Sequence, residues 1–262
     1  MKRKEKEIEE IEDFEEIEEQ SLLDFFDFLE VLDFLFRYNK TSPLLPMPSA
    51  IIFDFDGVLV DSERYWDDID RTFFRELIPT WTTDDGDKLS GLGVKKAHEV
   101  LTRDYGLTLA FPEFFARLDT AVLKTIYGER TQLLPGAVEF LDLLTARNIP
   151  FGIASSSHRQ WIDPTLKRLG IFDRFPVICT GDDVDDRTKP LPDVYLLAAK
   201  QLGVDPAKSM AIEDSKNGIR AAKAAGMTCI AIRTDMNVHQ DLTEADAEVR
   251  SFDEMHRFIP MV

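Results

Sequence analysis

Ile51-Ile52-Phe53-Asp54-Phe55-Asp56-Gly57-Val58-Leu59-Val60-Asp61-Ser62 is the stretch on which the fold turns. A short apolar run broken by two acids and a glycine reads as a buried parallel strand that ends at the acids. In open α/β sheets, ligands bind just beyond the carboxyl ends of the strands. Asp54 and Asp56 share a face of an extended chain, and Gly57 lets the chain turn at once, so the two carboxylates can converge on one small site. Taken alone, the segment also fits a strand closing in a polar turn, where acids before a glycine are ordinary.

Outward from this stretch the pattern alternates. Apolar runs at 50–53, 150–154, 176–179, 209–212 and 228–232 are strand-like, and the stretches between the later four carry helical periodicity. This is the signature of an α/β fold: a Rossmann-like parallel sheet core with helices on both faces. Roughly a hundred residues separate the first two strands, far more than a crossover needs. Helical spacing at 63–77, 95–105 and 112–127 makes that insertion an α-helical cap domain. The expected division is therefore an α/β catalytic core of residues 47–62 and 133–262, a helical cap of 63–132, and an amino-terminal extension of 1–46.

The extension differs in kind from the rest. Residues 2–20 are dominated by Glu and Lys, with Ile8, Ile11, Phe14 and Ile17 at three-residue spacing. The next segment, 22–36, is strongly apolar but carries Asp24, Asp27, Glu30 and Asp33. Four acids would be costly in lipid, so an amphipathic helix fits better than a membrane span. Pro43, Pro46 and Pro48 then mark a linker. Two readings stand: a helix for partner docking or self-association through residues 5–36, or a dispensable extension, with Met47 a plausible beginning for the domain. Across 262 residues the net charge is −18, which argues against a nucleic-acid partner, because phosphate backbones are held by clustered Lys and Arg. Cys179 and Cys229 fall in apolar strand-like runs and read as buried reduced thiols. No stretch of eighteen apolar residues and no signal-peptide pattern is present, so a soluble, cytoplasmic location is expected.

Three further strand ends supply polar groups: Ser155-Ser156-Ser157, Thr188-Lys189-Pro190 and Glu213-Asp214-Ser215. Singly, each has an ordinary explanation. Serines cap helices, a lysine is usually solvated, and acids favour helix amino termini. Together with Asp54 and Asp56 they sit on one edge of one inferred sheet, where sites form. Asp54, Asp56, Glu213 and Asp214 crowded there would repel, each pair by roughly 4 kcal/mol at about 4 Å and an effective dielectric near 20. A divalent cation is therefore expected, and oxygen-only ligands point to Mg²⁺. Lys189 and a serine hydroxyl would hold phosphate oxygens. One carboxylate could attack phosphorus while the other protonates the leaving oxygen and then activates water.

On these motifs the chain, from about Ser49 to its end, resembles the haloacid dehalogenase superfamily, in the subgroup with a helical cap after the first motif. The resemblance rests on Asp54-Phe55-Asp56-Gly57, Ile153-Ala154-Ser155, Lys189-Pro190-Leu191-Pro192-Asp193 and Ile212-Glu213-Asp214-Ser215. It implies Asp54 as nucleophile and Asp56 as general acid and base. It further implies Ser155 and Lys189 as phosphate ligands, and Ser156, next in the chain, is a further candidate for that role. Asp54, Asp214 and the Asp56 main-chain carbonyl would bind Mg²⁺, with Glu213 a ligand or acting through a metal-bound water. Hydrolytic dehalogenases of the superfamily lack an acid at the Asp56 position, so an oxygen leaving group is implied. The chain departs from the β-phosphoglucomutase pattern in two places. Trp66 stands where mutases carry a cap histidine, and Val94, beside Lys95 and Lys96, stands where they carry a cap arginine. The resulting expectation is a Mg²⁺-dependent phosphatase acting on a small phosphorylated metabolite, a sugar phosphate above all. The alternatives are a phosphomutase and a non-catalytic phosphate-sensing or scaffold module.

Overall fold

The computed structural model describes residues 47–86, 88–89, 92–185 and 187–259, so the helices expected at 1–46 lie outside the described residues. Six parallel strands form one sheet in the order β3-β2-β1-β4-β5-β6. They are β1 (Ile51–Phe53), β2 (Phe151–Ala154), β3 (Ile178–Cys179), β4 (Met210–Glu213), β5 (Thr228–Ile232) and β6 (Ala247–Val249). In register, Phe53 lies beside Ile153 on one side and Ile212 on the other. The strand order reverses at β1 and β4, the point in a doubly wound sheet where ligands bind.

Alternation along the central strand assigns the two faces. Phe53 packs edge-on against Phe140 of helix Ala137–Ala146 and against Phe151 and Phe175, with Phe252 of the short helix Phe252–Met255 tilted over it. Ile52 points the other way, into a cluster with Tyr195 and Ala198 of helix Asp193–Leu202 and Ile219 and Ala222 of helix Lys216–Ala224. Helices thus cover both faces, as the all-apolar strands require. Cys179 and Cys229 are buried free thiols in this core. No helix among the described residues is long and apolar enough to cross a membrane.

Between β1 and β2 the chain builds the inserted cap. Helix α1 runs through Trp66–Ile69, a π-helical turn Asp70–Phe74 and Arg75–Leu77. A single turn Thr83–Gly86 follows, then α2 (Val94–Tyr105) and α3 (Phe111–Thr125). Gly106, at φ +70°, closes α2 in the left-handed conformation that favours glycine. Pro112 occupies the first turn of α3, where its missing N–H has no partner to lose. Leu101, Phe114 and Val122 are fully buried, giving the cap its own apolar centre.

Two elements differ from the sequence expectation. The sixth strand was not anticipated: Ala247-Glu248-Val249 contains no apolar run, and a three-residue edge strand needs only one buried side chain, here Val249. The run at 176–179 contributes only Ile178 and Cys179 to the sheet.

Candidate active site

The loop after β1 decides the site. Gly57 adopts φ +69°, and a Cβ on it would stand 2.0 Å from Asp214 Oδ2. Only a glycine lets the backbone pass so close to a carboxylate. Asp54, at the end of β1, is 6% exposed and pairs with Lys189 Nζ at 2.6 Å. Lys189 also pairs with Glu213 Oε1 at 2.6 Å, and Tyr195 OH donates to the same Glu213 oxygen at 2.5 Å. Asp54, Lys189, Glu213 and Tyr195 therefore form one buried chain of charge from the sheet edge to helix Asp193–Leu202.

Asp56 is held separately, by three hydroxyls. Ser62 Oγ and Tyr127 OH donate to Oδ1, each at 2.6 Å, and Ser157 Oγ donates to Oδ2 at 2.6 Å. Ser157 N–H in turn donates to Ser155 Oγ at 3.0 Å, which fixes the turn after β2. The Ser156 hydroxyl is buried and has no hydrogen-bond partner among the described residues. Asp214 is positioned from behind: Asn237 Nδ2 donates to its carbonyl at 2.8 Å and to that of Ile232 at 2.9 Å.

Electrostatics mark the same group of residues. Burial pushes the Asp54 carboxyl up to about 8; Lys189 opposes this, and Glu213 and Asp56 reinforce it. Burial also raises Asp214 well above the carboxylate range, with Glu63, Asp54 and Glu213 adding repulsion. Glu63, on the turn after Ser62, is pushed up to about 8 by burial and then by Asp56 and Asp54. Burial disfavours the charge on Lys189, yet Asp54 and Glu213 outweigh it and hold the ammonium above its ordinary range. Negative groups here thus outnumber the one ammonium among them. Asp54, Glu213 and Asp214 each offer an oxygen within 4.8 Å of the others. An all-oxygen donor set with an unbalanced negative charge is what a hard divalent cation takes. The Asp56 side chain, occupied by its three hydroxyl donors, is not in that set, which leaves its main chain as the atom to consider.

A cavity of about 200 Å³ joins this constellation to the cap. Asp54, Asp56, Ser155, Ser156, Lys189 and Asp214 all line it; Glu213 lies behind them, fully buried. From the cap come Trp66, Phe74, Val94 and Leu118, whereas Lys95 and Lys96 are exposed and Lys96 pairs with Glu99 at 2.9 Å. Glu63, Tyr127, Tyr195 and Asn237 were not among the residues singled out from sequence, and Ser157 appeared there only as a member of the serine cluster, with no role. Glu63 adjoins the first motif and could have been; Tyr127, Tyr195 and Asn237 carry no local signal, because only the fold brings them in.

A family model described as "Haloacid dehalogenase-like hydrolase" matches residues 51–232. The chain is 35% identical over 210 residues to "Putative phosphatase YhcW" of Bacillus subtilis (strain 168), covering 80% of this chain and 94% of that protein. It is 30% identical to "Phosphorylated carbohydrates phosphatase" of Thermotoga maritima, covering 76% and 91% of the two chains. The crystal structure of CbbY from Rhodobacter sphaeroides in complex with phosphate superposes with a TM-score of 0.67 at 28% identity, covering 80% and 96%.

Proposed function

Because the chain belongs to the haloacid dehalogenase-like hydrolase family, we propose that it is a Mg²⁺-dependent phosphatase that hydrolyses a small phosphomonoester, a sugar phosphate above all, through an aspartyl-phosphate on Asp54. One observation carries the reading. Asp54 and Asp56 open on the same cavity but are held differently, Asp54 by an ammonium and Asp56 by three hydroxyls.

In this scheme an Asp54 carboxylate oxygen attacks phosphorus, and the bond from phosphorus to the ester oxygen breaks as Asp56 delivers a proton to that oxygen. Asp56 then takes a proton from water as the water oxygen attacks phosphorus, breaking the bond to Asp54 and releasing phosphate. Lys189, together with the hydroxyls of Ser155 and Ser156, neutralises and orients the phosphoryl oxygens. Asp54, Asp214 and the Asp56 carbonyl would hold Mg²⁺. Glu213 contributes by fixing Lys189, with which it pairs at 2.6 Å. Bound there, Mg²⁺ would supply the positive charge that keeps Asp54 and Asp214 ionised at neutral pH. The cap, residues 63–132, closes over the core, residues 47–62 and 133–262, and limits water at the acyl phosphate.

The mutase alternative is disfavoured by Trp66 and Val94, which line the cavity in place of a histidine and an arginine, and by the outward position of Lys95 and Lys96. Phosphate release from a panel of sugar phosphates and nucleotides, with Asp54→Asn as control, tests the proposal. Mg²⁺-dependent release that Asp54→Asn abolishes is the expected result. Interconversion of two sugar monophosphates without net release would favour the mutase.

A further inference from the structure

The cavity is electrically one-sided. Among the described residues that line it, Lys189 is the only Lys or Arg, and Asp54 and Glu213 already neutralise it at the reacting end. The cap half is walled by Trp66, Phe74, Leu89 and Leu118 and carries three acids, Glu63, Asp67 and Asp70. Asp70 is buried and accepts a hydrogen bond from Trp81 Nε1 at 2.9 Å, while Asp67 is exposed at the rim. The nearest basic residues on α2 do not reach inward: Lys95 and Lys96 are exposed. The Gly93 N–H at the start of α2 is committed to Thr188 Oγ1 at 3.2 Å. The imidazole of His239, on the loop after β5, is exposed at the opposite rim.

From this arrangement we infer that the enzyme selects monophosphate esters of uncharged alcohols with an apolar face and rejects esters whose leaving group carries a second anion. The inference rests on the phosphatase reading and narrows it. A carboxylate or second phosphate in the cap half would leave water for apolar walls and three acids with no cation to meet it, a penalty that discriminates by repulsion more than by attraction. An uncharged alcohol meets no such penalty, and its ring or carbon face can lie against Trp66.

Matched pairs test this. Values of kcat/KM are measured with Mg²⁺ for 2-hydroxyethyl phosphate against phosphoglycolate, which differ by an alcohol or a carboxylate at the far end, and for a hexose 6-phosphate against the same hexose 1,6-bisphosphate. The uncharged member is expected to be favoured by about tenfold or more in each pair. Asp67→Lys and, separately, Leu89→Lys should each shrink that ratio by about fivefold or more, by placing a cation in the cap half. Equal or reversed preference in the wild-type protein overturns the inference and leaves the phosphatase reading standing. So does a ratio that neither variant moves. Absence of Asp54-dependent release from every member of both pairs overturns both readings together.

Discussion

Gly57 is a single residue that ties the turn between Asp54 and Asp56 to Asp214. Alanine there would strain the left-handed backbone and drive a methyl group into the Asp214 carboxylate. Gly57→Ala is expected to lower phosphate release by about a hundredfold or more and stability by about 1–3 kcal/mol, read by urea denaturation; near-wild-type activity would contradict the packing described. Asp56 depends on its donors in a milder way. Tyr127→Phe removes one of three hydroxyls and leaves the ring stacked beside Phe55. A fall in kcat of about tenfold with KM little changed is expected in steady-state assays if Asp56 is the proton donor proposed above, because the lost bond orients Asp56 without holding phosphate. At this scale the sequence was informative wherever chemistry crowds into a motif. Asp54, Asp56, Ser155, Lys189 and Asp214 all reach one cavity from four strand ends. Tyr127 and Tyr195 were not legible, since a tyrosine on an amphipathic helix or at its end has the same local pattern whether it packs or donates.

Among the elements, α3 makes the clearest junction between cap and core. Asp119 on α3 accepts hydrogen bonds from Trp161 Nε1 at 2.6 Å and Gln160 Nε2 at 2.7 Å, both on the core helix Arg159–Arg168 that follows the serine turn. Phe115 of α3 lies 4.6 Å from the His158 ring at the start of that helix. Asp119→Ala would leave the buried indole N–H of Trp161 without its acceptor, at a cost of about 1–3 kcal/mol. Faster amide hydrogen exchange confined to Phe111–Thr125 is the expected consequence; unchanged protection of α3 would show that the junction does not hold the cap. The sequence revealed the helices of the cap by their periodicity but not the π-helical turn Asp70–Phe74 inside α1. Such a turn inserts one residue into a pattern that otherwise continues, and it is fixed by the tertiary bond from Trp81 to Asp70. The edge strand β6 escaped for the opposite reason, its polar composition hiding a single buried valine.

At the scale of the whole molecule, the excess of negative charge and the buried acids make stability depend on pH and on cations. Asp54 has an ordinary value of 3.8 and is raised to about 8 in the fold, chiefly by burial. The folded chain therefore binds more protons than the unfolded chain between these values, and this contribution to stability declines as pH rises through that window. A divalent cation bound at the same oxygens would reverse the loss. In thermal unfolding with chelator against saturating Mg²⁺, the cation should raise Tm by roughly 5–10 °C at pH 8 and by clearly less at pH 5. An equal effect at both values would contradict the assignment of the acids. Among the described residues, core and cap line one cavity. A shortened chain beginning at Met47 should accordingly unfold cooperatively and keep its activity within about twofold; loss of either would assign residues 5–36 a structural or docking role.

The chain leaves and re-enters the core at almost the same place. Val60 bridges Leu133 antiparallel, Asp61 N–H donates to the Gln132 carbonyl at 3.0 Å, and Leu134 N–H donates to the Leu59 carbonyl at 2.9 Å. Two strands of backbone clasped side by side form the neck of the insertion, and such a neck is indifferent to what lies above it. The segment from Ser62 to Thr131 is therefore a cassette. A lineage or an experimenter could exchange it, trading one selectivity for another, as long as Ser62 and Tyr127, which reach out of it to hold Asp56, are kept.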